Sequence, residues 1–269
     1  MIVDLKQHCG LDVKFDTEKI KLIFSPGINN SEPAVRNLKE MQEVLLDKDI
    51  AGPHDFYFMY RDVYAVSDKE ALLENKLRYD MTVIKPDYLG KELMKTAGHY
   101  HPGSYGELYE VVYGKALCLL QRPDPKNHKS IEVAIMVEAN QGQKIVIPPG
   151  FGHILINPGP DCLITSNWVS SCFKSEYDLY KKAGGAAYFV DKNVKKFKIA
   201  PNPYFVKLAD MKCVRPNPDI DKFGLKDNTP IYPLVRGSVK KLDFLNRPMD
   251  FAYNDIFIDA KPEEVCIEK

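Results

Sequence analysis

The 269-residue sequence predicts a mainly β protein built around an antiparallel sandwich or barrel. From Asp55 onward the chain carries many short runs of aromatic and β-branched residues, separated by Gly, Pro and Asp turns. These runs recur at intervals of roughly 8–15 residues without helices between them, which is typical of antiparallel sheets and disfavours a parallel βαβ arrangement.

The charge balance excludes some classes of partner. Lys plus Arg and Asp plus Glu are both 37, so the formal net charge is zero and there is no long-range field to attract nucleic acid or an anionic membrane. The chain shows no signal-like start and no apolar stretch of the roughly 18 residues that a membrane span needs. We therefore expect a cytoplasmic protein that binds neither nucleic acid nor membranes. The six cysteines form no CxxC pair and are expected to be free thiols.

Three regions are predicted along the chain. Residues 1–54 form an N-terminal helical segment packed on the barrel, in which Ser31 caps one amphipathic helix over residues 31–49. Residues 55–195 form the barrel, which a second helix closes near Gly184. Residues 196–269 are rich in proline and are expected to be an extended arm on the barrel, or else a small separate lobe.

A histidine pair is the clearest chemical signal. His99 and His101 lie two apart on a predicted strand, so both imidazoles leave one face about 6–7 Å apart and can converge on one ion. Glu107 begins the returning strand and can supply a carboxylate, and Gly114 ends that strand in a turn. Further on, Pro148 and Gly150 form a turn, and His153 begins the next strand. We predict one divalent metal ion per chain, held by a set of four side chains, His99, His101, Glu107 and His153. Fe(II), Mn(II), Ni(II) and Zn(II) all suit such a set, and the ligand types do not choose among them.

The segments around these residues resemble the paired signatures of the cupin superfamily. The second signature, G-x5-P-x-G-x2-H-x3-N, matches in full from Gly142 to Asn157. The first, G-x5-H-x-H followed by E-x6-G, departs at Leu93, where glycine is usual, and has a longer gap before Glu107. The resemblance implies a cupin double-stranded β-helix, or jelly-roll, barrel with an N-terminal helix and a Pro-rich C-terminal extension.

Within that superfamily, TVIKPDYLGKELMKTAGHYHPG and VYAV resemble the cupin-type phosphoglucose isomerases over about residues 31–190. The resemblance implies interconversion of glucose 6-phosphate and fructose 6-phosphate, in glycolysis and gluconeogenesis, by a metal-dependent homodimer. It also implies that Thr82, Thr96 and Gly98 contact the phosphate. Trp168 stands where a tyrosine near the phosphate is usual, and Tyr109 faces the barrel interior, where it could contact substrate.

Two chemical routes stay open for such an isomerase. Glu107 removes the C2 proton to form an enediol, or a hydride moves directly between C2 and C1. Two other functions also stay open: a non-haem Fe(II) dioxygenase, and a non-catalytic metal- or sugar-binding cupin.

Overall fold

The computed structural model describes residues 1–103, 105–191, 197–260 and 267–268. The described strands of the N-terminal half are β1 (Ile2–Asp4), β2 (Val13–Asp16), β3 (Lys21–Phe24), β4 (Ile28–Asn29), β5 (Ala34–Asn37), β6 (Asp55–Tyr60), β7 (Tyr64–Ala65), β8 (Leu77–Ile84), β9 (Tyr88–Leu89), β10 (Glu92–Leu93), β11 (Glu107–Tyr113) and β12 (Lys115–Asp124). Those of the C-terminal half are β13 (Asn127–Asn140), β14 (Lys144–Ile147), β15 (Gly152–Ile156), β16 (Leu163–Ser170), β17 (Tyr188–Asp191), β18 (Phe197–Pro201), β19 (Lys207–Leu208), β20 (Met211–Pro216), β21 (Asp219–Ile220), β22 (Leu225–Lys226), β23 (Phe257–Asp259) and β24 (Ile267–Glu268).

The helices are short. The α-helices are α1 (Lys6–Cys9), α2 (Leu38–Met41), α3 (Lys69–Glu74), α4 (Asp178–Ala183) and α5 (Leu234–Gly237). The 3-10 helices are Gln42–Val44, Val66–Asp68, Asp221–Phe223, Val239–Leu245 and Pro248–Asp250. Among the described residues no helix is long and apolar enough to span a membrane.

Two sheets form the barrel. One has the strand order β14-β11-β16-β8-β6-β5, and the other runs β15-β12-β13-β20-β23 with β19 beside β13. The strands from β6 to β16 pair antiparallel wherever they meet within these sheets, which confirms the predicted mainly β, cupin-type barrel. Gly114, with φ of 81°, turns the chain between β11 and β12, as the sequence predicts.

Both faces of the first sheet are buried. Tyr109, Asn167 and Asp80 are cross-strand neighbours on the inner face, whereas their chain neighbours Leu108, Trp168 and Tyr79 form the matching row on the outer face. The outer row packs in a second hydrophobic cluster with residues from both ends of the chain, including Phe15, Tyr232 and Phe244. Because this layer covers the outer face, every residue of β16 and all of β11 except Tyr113 are buried, where a half-exposed strand would alternate between buried and exposed residues.

The predicted helix over residues 31–49 is mostly wrong. Residues Ala34–Asn37 form β5 at the sheet edge, and the helix begins only after Asn37. There the Asn37 side chain accepts a hydrogen bond from Glu40 N, and the Glu40 side chain accepts one from Asn37 N. This capping box, rather than Ser31, starts the helix. The second predicted helix is present as α4 and ends at Gly184, whose φ is 71°.

The chain after residue 196 contacts the barrel at several places. β20 pairs parallel with β13, and Trp168 Nε1 donates a 3.0 Å hydrogen bond to Ile231 O. The division into three regions stays a prediction. Strands from the first and third regions join the two sheets of the barrel. Four cysteines, Cys9, Cys118, Cys162 and Cys172, are free thiols, whereas Cys266 lies outside the described residues.

Candidate metal centre

The segment that carries the histidine pair lies against β15. His99 N donates to His153 O at 3.3 Å, and His153 N donates to His99 O at 3.1 Å. This isolated two-residue bridge replaces the longer strand expected around His99. The bridge places the His99 and His153 rings 4.3 Å apart between centroids, while His101 remains on the same side two residues on.

Four donor atoms converge beside this bridge. The ligand atoms of His99, His101, Glu107 and His153 all lie within 4.8 Å of one another. Glu107 Oε2 is 3.0 Å from His153 Nε2 and 3.2 Å from His101 Nε2, and it is 3.9 Å from His99 Nε2. The Nε2 atoms of His99 and His101 are 3.2 Å apart. The structure therefore brings together all four side chains that the sequence assigned to a metal.

The chemistry of this set fits a divalent cation. Glu107 Oε2 is buried and has no hydrogen-bond partner among the described residues, so a cation would satisfy an otherwise costly buried oxygen. Neutral imidazole and carboxylate are ligands that first-row transition metals accept. Glu107 Oε1 is already occupied, since Asn167 Nδ2 donates to it at 2.7 Å. One carboxylate oxygen is thus anchored and the other faces the imidazoles.

The protonation states suit metal binding. Burial raises the pKa of Glu107, but the imidazoles of His101 and His153 outweigh burial and hold that pKa well below its ordinary value. Burial, with the neighbouring His153, lowers the pKa of His99 well below its ordinary value, and burial likewise lowers the pKa of His153. A charged carboxylate and neutral imidazoles are the forms that coordinate metals.

A cavity opens in front of this centre. Its lining includes His99, His101 and Glu107, together with four of the five predicted substrate residues, Thr82, Thr96, Gly98 and Tyr109. Tyr109 Oη lies 3.4 Å from His153 Nε2, and burial raises the Tyr109 pKa well above its ordinary value, so the phenol is protonated at neutral pH.

The three residues assigned to phosphate binding differ in their local roles. Thr96 Oγ1 accepts a 3.0 Å hydrogen bond from Leu155 N, which leaves the hydroxyl proton free for a ligand. Thr82 lies on β8 opposite Thr165. Gly98 has φ of 79°, and a Cβ there would lie 2.4 Å from Ile154 and 2.6 Å from the Tyr180 ring. Only glycine fits at this position of the cavity wall.

Trp168 does not reach the cavity, so its assignment as a substrate residue is wrong. Its side chain is fully buried on the outer face of the sheet, where the indole stacks on Tyr232 at 5.6 Å between centroids and packs against Tyr79 at 4.8 Å. Side chains alternate along β16, so the cavity-facing positions are its neighbours Asn167 and Val169.

The cavity also contains residues that were not predicted from the sequence, notably Asn167, Arg61, Arg78 and Asp80. A signal was available for two of them. Arg78 and Asp80 precede Thr82 on β8 at alternate positions, so a side-chain period of two places all three on one face. Arg61 follows β6, and its approach to Asp80 depends on pairing between β6 and β8 that the sequence does not reveal.

This fold and site define a cupin-type barrel with a candidate metal centre of three histidines and one glutamate. A family model described as glucose-6-phosphate isomerase (GPI) matches residues 35–205, which is more than half of the chain. The chain belongs to the glucose-6-phosphate isomerase family.

Individual relatives are similar at modest identity. A glucose-6-phosphate isomerase of Thermococcus litoralis is 28% identical over 184 residues, covering 65% of this chain and 90% of the relative. A glucose-6-phosphate isomerase of Pyrococcus furiosus is 26% identical over 194 residues, covering 70% of this chain and 96% of the relative. Among solved structures, vicilin from Corylus avellana aligns over 56% of this chain and 36% of its own, with 12% identity and a TM-score of 0.36.

Proposed function

We propose that this chain interconverts glucose 6-phosphate and fructose 6-phosphate with one divalent metal ion bound by His99, His101, Glu107 and His153. The observation that supports the proposal most is the convergence of these four ligand atoms within 4.8 Å, in a chain of the glucose-6-phosphate isomerase family. When bound, a dication would act as a Lewis acid towards the two sugar oxygens at C1 and C2. Fe, Mn, Ni and Zn remain the candidates.

The chain's own residues have separable roles in this proposal. Thr82, Thr96 and the Gly98 backbone hold the phosphate, since hydroxyl and N–H donors can bind phosphate oxygens without a glycine-rich P-loop. Tyr109, protonated at neutral pH, faces the sugar and donates a hydrogen bond to it. These contacts orient the open-chain sugar with its reacting carbons towards Glu107.

Glu107 is the candidate for the proton-transfer route. Its carboxylate is charged at neutral pH and can accept the C2 proton and return it to C1. A carboxylate bound to a dication is a weaker base, which favours the alternative of a direct hydride shift between C2 and C1. In the second route Glu107 serves as a ligand and takes no proton.

The homodimer that the resemblance implies belongs to the same proposal, as does the cytoplasmic location expected from the signal-free start. A dioxygenase would need similar ligands but no phosphate contacts. The cavity's threonines and Gly98 therefore favour the isomerase over that alternative. A non-catalytic sugar-binding cupin would share the same geometry and differ only in turnover.

The decisive experiment is a coupled assay in both directions after metal removal and separate readdition of Fe, Mn, Ni and Zn. Activity should disappear with the metal and return with at least one ion. His101→Ala should lose both bound metal by elemental analysis and activity. The matched control is His54→Ala, because the His54 side chain is 90% exposed. Absence of interconversion in protein with a full complement of metal would refute the isomerase proposal.

A further inference from the structure

Two arginines line the cavity and have no role in the proposed function. Arg61 and Arg78 are both among the lining residues, and Asp80 lies between them. Arg78 Nε donates to both carboxylate oxygens of Asp80 at 3.0 Å, and its Nη2 lies 2.8 Å from Oδ2. Arg61 Nη1 lies 3.6 Å from the same Oδ2. Asp80 thus orients both guanidinium groups.

The cluster keeps unused donors and positive charge. Asp80 is the only Asp or Glu within 4.0 Å of either guanidinium among the described residues, so one carboxylate faces two cations. The Asp80 side chain is only 7% exposed and also accepts a 2.9 Å hydrogen bond from Asp62 N. Each guanidinium carries five N–H donors in a rigid plane, of which Asp80 can occupy only some. Ordered, partly unpaired arginines are suited to bind an oxyanion.

The register places this cluster near the reacting end of the proposed substrate. Arg78 pairs with Val169, and Val169 pairs with Glu107, so all three lie in one row across the sheet. Two strand spacings of about 4.8 Å separate Arg78 from Glu107 at the backbone. Thr82 lies four residues further along β8, at roughly 13 Å for an extended strand. Burial lowers the pKa of Arg78, but the charges of Asp80 and then Glu107 more than offset it.

We propose that Arg61 and Arg78, oriented by Asp80, bind a negatively charged oxygen group at the reacting end of the sugar phosphate, away from the threonines. The inference rests on the proposed function, which defines that end. The ligand class is a six-carbon sugar phosphate that carries a carboxylate, or the developing oxyanion of the reaction, at C1 or C2. Fixed cations beside such oxygens stabilise charge as it forms.

The test compares two analogues that differ only at C1. 6-Phosphogluconate carries a carboxylate there and glucitol 6-phosphate carries a neutral CH2OH, while the phosphate is the same. Dissociation constants are measured by titration calorimetry with metal-loaded and metal-free protein. Arg78→Met should raise the dissociation constant of 6-phosphogluconate by roughly ten- to a hundredfold. It should change the dissociation constant of glucitol 6-phosphate by no more than about twofold. Arg61→Met should also raise the dissociation constant of 6-phosphogluconate.

Arg247→Met is the matched control, because Arg247 also pairs with an aspartate, Asp243, at 2.6 Å but does not line the cavity. It should leave both constants unchanged. Loss of Arg78 removes the main partner of a buried carboxylate, so melting temperatures are recorded first. The Arg61 side chain is 42% exposed, and Arg61→Met therefore tests the proposal independently of folding.

Two results would overturn the proposal. If both analogues bound more weakly to the same degree, the arginines would contact the phosphate that the analogues share. If the dissociation constants were unchanged in both arginine variants, the cluster would have only a structural role. The proposed function can fail separately. A protein that does not isomerise sugar phosphates but keeps an arginine-dependent preference for the carboxylate would refute the isomerase and leave the binding site in place.

Discussion

Asn167 Nδ2 donates a 2.7 Å hydrogen bond to Glu107 Oε1 on the neighbouring strand. Both side chains are buried, at 5% and 3% exposure, so water does not compete for this bond. It holds the Glu107 carboxylate with Oε2 facing the imidazoles of His101 and His153. Asn167 is thus a positioning residue for the candidate metal centre.

Asn167→Leu, which is close in volume, should weaken metal binding by roughly ten- to a hundredfold, because the glutamate ligand loses its fixed orientation. Competition with a chromophoric chelator measures the metal dissociation constant. Ser166→Ala is the control, since Ser166 precedes Asn167 on β16 but does not line the cavity. Equal metal affinity in Asn167→Leu and the unmodified protein would contradict the positioning role.

Metal retention should depend on pH in a defined direction. Protons compete with the metal for imidazole nitrogen, so affinity falls as the pH falls. The pKa values of His99 and His153 lie below the ordinary value of 6.5. The protein should therefore begin to lose metal only when the pH falls below 6.5. Dialysis at graded pH followed by elemental analysis gives the midpoint. A midpoint above 6.5 in fully folded protein would show that these histidines do not hold the ion.

Thr96→Val should raise the Michaelis constant for sugar phosphate by roughly ten- to a hundredfold, because a hydrogen bond to a charged phosphate is lost. The same change also removes the acceptor for Leu155 N, so Thr96→Ser, which keeps the hydroxyl, should restore most of the affinity. Thr165→Val is the control, since Thr165 is buried opposite Thr82 but does not line the cavity. An unchanged constant in Thr96→Val would place the phosphate elsewhere.

Phe244→Ala should lower the free energy of unfolding by about 3–5 kcal/mol, because a large buried ring is removed from a packed cluster. Phe244 is fully buried and lies 4.2 Å from Phe223 between ring centroids. Met249→Ala, at a side chain that is 74% exposed, should change stability little. Denaturant unfolding provides the measurement. Comparable stability of the two variants would show that the C-terminal segment adds little to the folded barrel.

Hydrogen labelled at C2 of glucose 6-phosphate separates the two chemical routes. A direct hydride shift should carry the label to C1 without exchange, whereas proton transfer through Glu107 should lose at least part of it to solvent. NMR of fructose 6-phosphate formed in deuterated water reads the exchange at C1. Complete retention would remove Glu107 from the role of base and leave it as a ligand.

Features that depend on local geometry are predictable from the amino-acid sequence. Turn-forming residues, such as Gly114 at φ of 81°, separate the short β-rich runs and predict the antiparallel barrel. The spacing of His99 and His101 places both imidazoles on one side, since alternate residues of an extended chain share a face. The helix end at Gly184 is equally local, because glycine adopts the left-handed conformation that ends a helix.

Contacts between residues that are distant in the chain depend on how the strands pair in the folded barrel. Asn167 and Glu107 are 60 residues apart in the chain, and their contact depends on β11 pairing with β16 in one register. The same register turns Trp168 away from the cavity, since a shift of one position exchanges the two faces of a strand. Arg61 likewise reaches Asp80 only because β6 lies beside β8. Long-range pairing maximises burial over the whole barrel, and no local spacing along the chain specifies it.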